Sequence, residues 1–148
     1  MYGSILIVLS ALSAADNPKT DSKLAPGLRQ TDAEVVDLSG YYTCKGQEAG
    51  GKNYTGVVVL TKKNDIYLIS WLVGGGSNFS GIAIRQGTTL SASWAIATER
   101  GLLRGVNMYR IESTANGPRL SGRWASVPGP GVQQTETLTF LKKLETDD

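Results

Sequence analysis

Histidine is absent from the 148 residues, and cysteine occurs once, as Cys44. The lack of histidine excludes Ser-His-Asp triads, Cys-His dyads and histidine-ligated zinc within this chain. A single cysteine excludes both an intrachain disulfide and a cysteine-rich metal site. With no histidine to act as its base, we interpret Cys44 as a buried, inert thiol. We therefore predict no catalytic residues, no metal ligands and no cofactor.

The chain also lacks a strong excess of one sign of charge and a long apolar run near the N-terminus. The net charge is +2, with no basic block, which disfavours nucleic acid as a partner. The longest apolar run near the N-terminus covers residues 5–12, whereas a transmembrane helix needs about 20 residues. We therefore predict no integral membrane span. The 41% of hydrophobic residues is enough for the core of one domain.

The short apolar run has the features of an export signal. It is followed by Ser13, Ala14 and Ala15, a small-x-small pattern typical of a cleavage site. We predict a signal peptide over residues 1–15 and a secreted or periplasmic location. These residues carry no side-chain charge, unlike a usual signal peptide, so a buried strand or helix is the alternative. Residues 16–37 contain Pro18, Pro26 and Gly27 and are interpreted as a flexible leader before a domain at residues 38–148.

Short apolar runs alternate with turn residues throughout the remaining chain. No run is long enough, or spaced at 3.6 residues, to indicate a substantial helix. The prolines of this part all fall between runs, where they remove no ladder hydrogen bond. Asn64-Asp65 and Asn116-Gly117 tolerate the positive φ of tight hairpins. The spacing predicts eight strands, at residues 40–45, 54–61, 66–73, 79–85, 89–97, 105–112, 119–126 and 135–144.

Alternation along these strands indicates one buried and one exposed face. Tyr67, Ile69 and Trp71 share a face, as do Leu90, Ala92, Trp94 and Ile96. An apolar-hydroxyl-glycine pattern recurs and ends at Gly40, Gly56, Gly81 and Gly122, and such glycines let a small sheet turn its corners. Eight strands with short turns close naturally into a barrel, which removes exposed edges. The fold prediction is an all-β, eight-stranded antiparallel up-and-down barrel.

The Gly40-Tyr41 opening and the late Gly122-Arg123-Trp124 resemble those of an avidin- or lipocalin-type barrel. Residues 38–143 also resemble uncharacterised exported bacterial domains, some of which are labelled fibronectin-binding. The resemblance implies a calycin-like fold, and no biotin-site motif of the avidins is carried over. The shared motif positions are Gly40-Tyr42, Tyr54-Gly56, Tyr67-Trp71, Gly105-Val106-Tyr109, Gly122-Trp124 and Glu136-Thr137-Leu138.

The aromatic residues of different strands are the candidate ligand-binding group. Aromatic rings that line a barrel can stack on a flat or apolar ligand. The alternative is that they fill the barrel, as side chains usually do in barrels of this size. The candidates are Tyr67, Trp71, Trp94, Tyr109 and Trp124.

Charged residues provide one structural candidate and one weak catalytic candidate. Arg123 and Glu136 lie on neighbouring predicted strands, so we expect a structural ion pair across the ladder. A glycosidase-like pair of Glu112 and Glu136 would need a suitable distance between the carboxylates, which the sequence does not supply.

The sequence supports two hypotheses for the function, and a third, that the protein is an enzyme, is less favoured. The first is an exported, non-enzymatic barrel that binds a small apolar or aromatic ligand inside. The second is a structural or protein-interaction module, adhesin-like, with a filled core and no small-molecule ligand. In the second case a partner could contact residues 57–60, which are apolar on both faces of their strand. The outer face of the barrel could also form an oligomer.

Overall fold

The computed structural model describes residues 36–145, in which all regular structure is β-strand. Each strand pairs antiparallel with its chain neighbours, and β8 pairs with β1, so the sheet is a closed barrel. This confirms the predicted fold class. No helix in the described range could cross a membrane. The strands are β1 (Gly40–Gln47), β2 (Asn53–Lys63), β3 (Ile66–Val73), β4 (Ser77–Gln86), β5 (Thr89–Thr98), β6 (Gly101–Thr114), β7 (Gly117–Val127) and β8 (Gln134–Lys142).

The predicted signal peptide, residues 1–15, lies outside the described residues, as does the leader up to residue 35. The two described leader residues contact barrel side chains. The Val36 carbonyl oxygen accepts a hydrogen bond of 2.5 Å from Arg85 Nη1, and Asp37 Oδ1 accepts one of 3.4 Å from the Tyr67 hydroxyl.

β3 has the predicted bounds, and β8 ends two residues earlier than predicted, at Lys142. The other six strands extend beyond the predicted runs, most clearly β6. Its pairing with β5 begins at Gly101, which lies opposite Thr98, so only Glu99 and Arg100 form the turn. The prediction started this strand four residues later because Thr98-Glu99-Arg100-Gly101 was assigned entirely to a turn. At the opposite end of the barrel, Asn64 (φ 54°) and Gly117 (φ 115°) adopt the positive φ expected of their hairpins.

The predicted inward faces are those that the structure buries. Tyr67, Ile69 and Trp71 are buried along β3, and Leu90 and Ala92 along β5. Because successive side chains of a strand point to opposite faces, the residues between them lie on the outer surface. Tyr42 and Cys44 are buried together on β1, which places the thiol in the core as expected.

Three of the repeated glycines lie where two strands approach most closely. A Cβ on Gly81 would lie 2.1 Å from the Ser93 carbonyl oxygen, and one on Gly122 would lie 2.0 Å from that of Met108. Gly56 has the same relation to Leu72, at 2.2 Å. Any side chain at these positions would force the strands apart. The repeat therefore marks points of close backbone approach, consistent with the tight curvature of a small barrel.

One end of the barrel, called the closed end below, is filled by Leu38 and the side chains around it. The backbone of Leu38 is held from inside the barrel by two tyrosines. Its carbonyl oxygen accepts a 2.7 Å hydrogen bond from the Tyr42 hydroxyl, and its N–H donates to the Tyr67 hydroxyl at 3.4 Å. Leu60, Leu90 and Leu138 complete a layer without solvent-accessible surface.

Candidate ligand-binding site at the open end of the barrel

A cavity of about 180 Å³ lies at the other end, called the open end below. The loops at this end join β1 to β2, β3 to β4, β5 to β6 and β7 to β8. Two depressions of larger volume lie outside on strands β4 to β7 and are lined mainly by outward-facing residues. The cavity is lined by Glu48, Tyr54, Trp71, Val73, Gly74, Ser77, Phe79, Trp94, Leu103, Asn107, Trp124, Ser126 and Glu136.

Five of the thirteen residues that line the cavity are aromatic, and four of these rings form two edge-to-face pairs. Phe79 and Trp94 lie with ring centroids 4.9 Å apart and an interplanar angle of 62°. Tyr54 and Trp124 form a second pair at 6.3 Å and 67°. Such pairs add attraction beyond the burial of area and hold the rings in fixed orientations. All three tryptophans of the chain line this cavity.

A glycine makes room for one of these rings. Trp94 on β5 lies directly opposite Gly105 on β6. A Cβ on Gly105 would lie 2.1 Å from Trp94 Cζ2, so the indole occupies the space where a side chain would be. The ring is thereby held against the barrel wall, and the centre of the open end stays free.

Glu136 on β8 is the acceptor on which the polar groups of the cavity converge. Its side chain is buried, and its Oε1 accepts hydrogen bonds from Trp71 Nε1 at 3.1 Å and from Asn107 Nδ2 at 3.3 Å. Oε1 also accepts from the Tyr109 hydroxyl, and Oε2 accepts from the Tyr54 hydroxyl at 2.6 Å. Since all four groups donate, the side chain has the purely acceptor role of an ionised carboxylate.

Asn107 extends this network towards the aromatic wall. Its Nδ2 donates to the Tyr109 hydroxyl at 2.8 Å, and its Oδ1 accepts from Trp94 Nε1 at 2.9 Å. The network thus joins side chains of β2, β3, β5, β6 and β8. Linked hydrogen bonds of this kind fix the rings as a set, because moving one ring breaks bonds made by the others.

The environment of Glu136 raises the pKa of its acidic neighbours. Burial is the main cause for Tyr54, Tyr109 and Cys44, and the negative charge of Glu136 adds to it in each case. The two hydroxyls are therefore protonated at neutral pH and can donate to Glu136. The Cys44 thiol is also protonated, which agrees with its interpretation as an inert side chain.

Among the residues that the structure describes, no lysine or arginine lines the cavity. A second carboxylate, that of the exposed Glu48, lies at its mouth: a Cβ on Gly74 would lie 3.9 Å from Glu48 Oε1. Between residues 36 and 145, the one salt bridge joins Lys142 to Glu145, beyond the last strand at the closed end. The charge of Glu136 is thus solvated by neutral donors and has no cationic partner.

One polar atom of the wall has no partner. Within the described part of the chain, Trp124 Nε1 is the buried side-chain nitrogen or oxygen without a hydrogen bond. It lies close enough to the Tyr54 hydroxyl to oppose slightly the rise of that group's pKa, but it does not make a hydrogen bond to it. A buried N–H of this kind is costly unless a water molecule or a ligand accepts from it.

The structure brings four of the five predicted ligand-binding residues together. Trp71, Trp94 and Trp124 line the cavity, and the Tyr109 hydroxyl is bonded to Glu136 beneath it. Tyr67 lies at the closed end, where its hydroxyl contacts Asp37 and Leu38. Tyr67 is therefore part of the packing of the closed end and does not line the cavity.

The predicted ion pair between Arg123 and Glu136 is wrong. Glu136 lies opposite Gly122, and Arg123 lies opposite Thr135. Because side chains alternate between faces, this offset of one residue puts Arg123 outside and Glu136 inside. Arg123 is exposed, while Glu136 is buried. Glu112 is also exposed and lies near the closed end, so it does not share the cavity with Glu136.

Sequence reasoning missed three side chains of the aromatic wall and its hydrogen-bond network, Tyr54, Phe79 and Asn107, and also Glu48 at the mouth of the cavity. A signal was available for Asn107, which stands between the inward positions of Gly105 and Tyr109. A polar residue on an otherwise buried face needs a buried partner, so it marks a polar network. Phe79 and Tyr54 occupy inward positions on strands whose alternation is interrupted by glycine, which hid the pattern.

Comparisons with known proteins support the fold alone. No protein-family model and no curated protein matches the sequence. Among solved structures, the chain is similar to a redesigned β-barrel, with a TM-score of 0.56 and 11% identity over 71% of this chain and 92% of that one. It is also similar to a de novo designed fluorescence-activating β-barrel, with a TM-score of 0.48 and 13% identity over 70% and 94% of the two chains.

Proposed function

We propose that the protein is an exported, non-enzymatic barrel of avidin- or lipocalin-like type that binds a small apolar or aromatic ligand at its open end. The proposal for export rests on the apolar run and the small residues of positions 5–15. The proposal for binding rests chiefly on one observation, the aromatic-lined cavity of about 180 Å³. A cavity of roughly 150 Å³ in another protein holds benzene, so the volume suits a ligand of one ring.

The form of the site supports binding over filling. Rings held by a shared hydrogen-bond network keep their positions when the centre is empty, so little ordering remains to be done on binding. The unpaired N–H of Trp124 offers one donor to a ligand atom that accepts a hydrogen bond. Apolar walls with a few fixed polar groups are typical of small-molecule sites.

Tryptophan fluorescence tests this function, because all three indoles line the cavity. Toluene is the probe, and we expect a saturable change in emission together with a higher melting temperature. Val73→Phe, which fills part of the cavity, should abolish both effects. Val57→Phe makes the same change on the outer face of β2 and should leave them intact. Saturable binding that survives in Val73→Phe, or no binding by the natural sequence, would contradict the proposal.

The outer surface supports the protein-interaction module as a second candidate. Leu68, Ile82 and Val106 lie in one row across β3 to β6, linked through Ser93, and all three are exposed. Two further exposed apolar residues, Ile84 and Met108, lie next to this row on β4 and β6. We call these five residues the outer apolar face.

Arginines next to the outer apolar face indicate that a protein partner would carry acidic residues. Arg104, Arg110 and Arg123 are exposed on β6 and β7, and Arg123 lies opposite Met108. The fitting partner is a protein surface whose apolar residues are flanked by carboxylates.

A peptide of alternating leucine and glutamate serves as the probe for this second candidate. Saturable binding that is lost in Val106→Ser and in Arg123→Gln, with toluene binding retained, would support it. Absence of binding by the natural sequence would remove it.

A further inference from the structure

We propose that the ligand of the open-end cavity is an organic cation, a small aromatic compound that carries an ammonium group. This inference rests on the proposed function, because it specifies the charge of the ligand in the same cavity. It follows from the charges that surround the cavity and from the chemistry of its rings.

The charged side chains that line the cavity are both acidic. Glu136 lies at its base and Glu48 at its mouth, and no lysine or arginine among residues 36–145 lines it. The chain as a whole has net charge +2, with 15 lysines and arginines against 13 acidic residues. The cavity thus has the opposite sign to the molecule that contains it. Such a site attracts cations and repels anions.

The negative charge of Glu136 is solvated but not neutralised. Its four donors are neutral dipoles, contributed by Tyr54, Trp71, Asn107 and Tyr109. They lower the cost of burying the carboxylate, but they leave its net charge in place. Because the Glu136 side chain is buried, its charge acts on a nearby ligand group more strongly than it would at the surface.

The rings of the wall add a second attraction for cations. The face of an aromatic ring carries partial negative charge, and tryptophan gives the strongest cation–π interaction. Trp94 pairs edge-to-face with Phe79 and Trp124 with Tyr54, and all four rings line the cavity. The cavity therefore suits a quaternary or protonated amine better than other classes of ligand. A neutral ligand would gain only from desolvation, and an anion would be repelled by two carboxylates.

Three probes of nearly the same shape and different charge test the inference. Phenyltrimethylammonium is the cation, tert-butylbenzene is its neutral isostere, and benzenesulfonate is the anion. Affinities for the full chain are measured by tryptophan fluorescence and by calorimetry. We expect the cation to bind at least about tenfold more tightly than the neutral isostere, and the anion to bind most weakly. Equal or tighter binding of tert-butylbenzene would overturn the inference and leave the proposed function standing. Absence of binding by all three would contradict both.

Matched substitutions distinguish the local effect of the two cavity carboxylates on cation binding from the effect of the net charge of the protein. Glu48→Gln, at an exposed position, should reduce the preference for the cation about threefold. Glu112→Gln makes the same change in net charge near the closed end and should leave the preference unaltered. Glu136→Gln should remove most of the preference, provided that circular dichroism shows it folded. If that variant does not fold, Glu48→Gln decides, and a preference unchanged in it would refute the inference.

Discussion

The two ends of the barrel are built from the same eight strands, yet one is packed shut and the other is open. Towards the closed end, Leu38, Leu60, Leu90 and Leu138 are buried and have no accessible surface. At the open end, Trp94 and Trp124 remain half-buried beside a cavity. Branched aliphatic side chains interdigitate and fill space. The aromatic side chains of the open end instead lie along the wall, where Tyr54 and Trp71 donate hydrogen bonds to Glu136 and Trp94 donates one to Asn107.

The size of a barrel alone does not decide whether its interior is filled. In a closed barrel of eight strands, the inward residue types at each level determine the packing. Where a glycine lies opposite an aromatic residue, as Gly105 does opposite Trp94, the ring can lie against the wall over the glycine. The space along the barrel axis is then larger. The open end therefore has less apolar packing than the closed end and keeps a cavity.

The largest expected effect comes from the same substitution made at both ends. Leu120→Ala removes a side chain without accessible surface and should lower the free energy of unfolding by about 3 kcal/mol. Leu103→Ala, at a half-buried position of the cavity wall, should cost less than about 1 kcal/mol. Urea unfolding measures both. Equal losses would contradict the proposed difference in packing between the ends.

A smaller loss is expected when the central acceptor of the open end is altered. Glu136→Gln places an amide where donors converge, so at least one donor loses its partner, at a cost of about 2 kcal/mol. Glu112→Gln, on the outer surface of β6, should change stability by less than about 0.5 kcal/mol. The emission of Trp71 and Trp94 should change with Glu136→Gln, since both indoles belong to its network. An unchanged spectrum and stability would show that the network does not hold the rings.

Alkaline pH should destabilise both ends through their tyrosines. Burial raises the pKa of Tyr42 at the closed end and of Tyr54 at the open end above the ordinary value of 10.0. A raised pKa in the folded state means that the stabilisation is present below pH 10 and is lost as pH rises above it. Each tyrosine should contribute a slope of about 1.4 kcal/mol per pH unit above that point.

The slope is measured by urea unfolding at a series of pH values. Tyr42→Phe and Tyr54→Phe should each reduce it by the contribution of one group. A free energy of unfolding that stays constant up to pH 11 would show that these hydroxyls are not buried as described. An effect in one variant only would place the raised pKa at a single end.

Much of this architecture follows from local sequence patterns, whereas the site depends on pairing register. The strands, their inward faces and the closed sheet could be predicted because alternation and turn residues are local signals. The meeting of Glu136 with Tyr54, Trp71 and Tyr109 could not, since it depends on residues up to 82 positions apart. An error of one residue in register was enough to pair Glu136 with Arg123, which lies on the outside.

Nuclear magnetic resonance during titration with toluene tests the central claim most directly, namely that one end is sealed and the other admits a small apolar ligand. The indole N–H signals of Trp71, Trp94 and Trp124 and the amide signal of Gly74 should shift with saturation, because these groups line the cavity. The amide signals of Leu38 and Leu90 should stay in place, because these residues have no accessible surface. Shifts centred on Leu38 and Leu90, or no shift at the three indoles, would contradict the account.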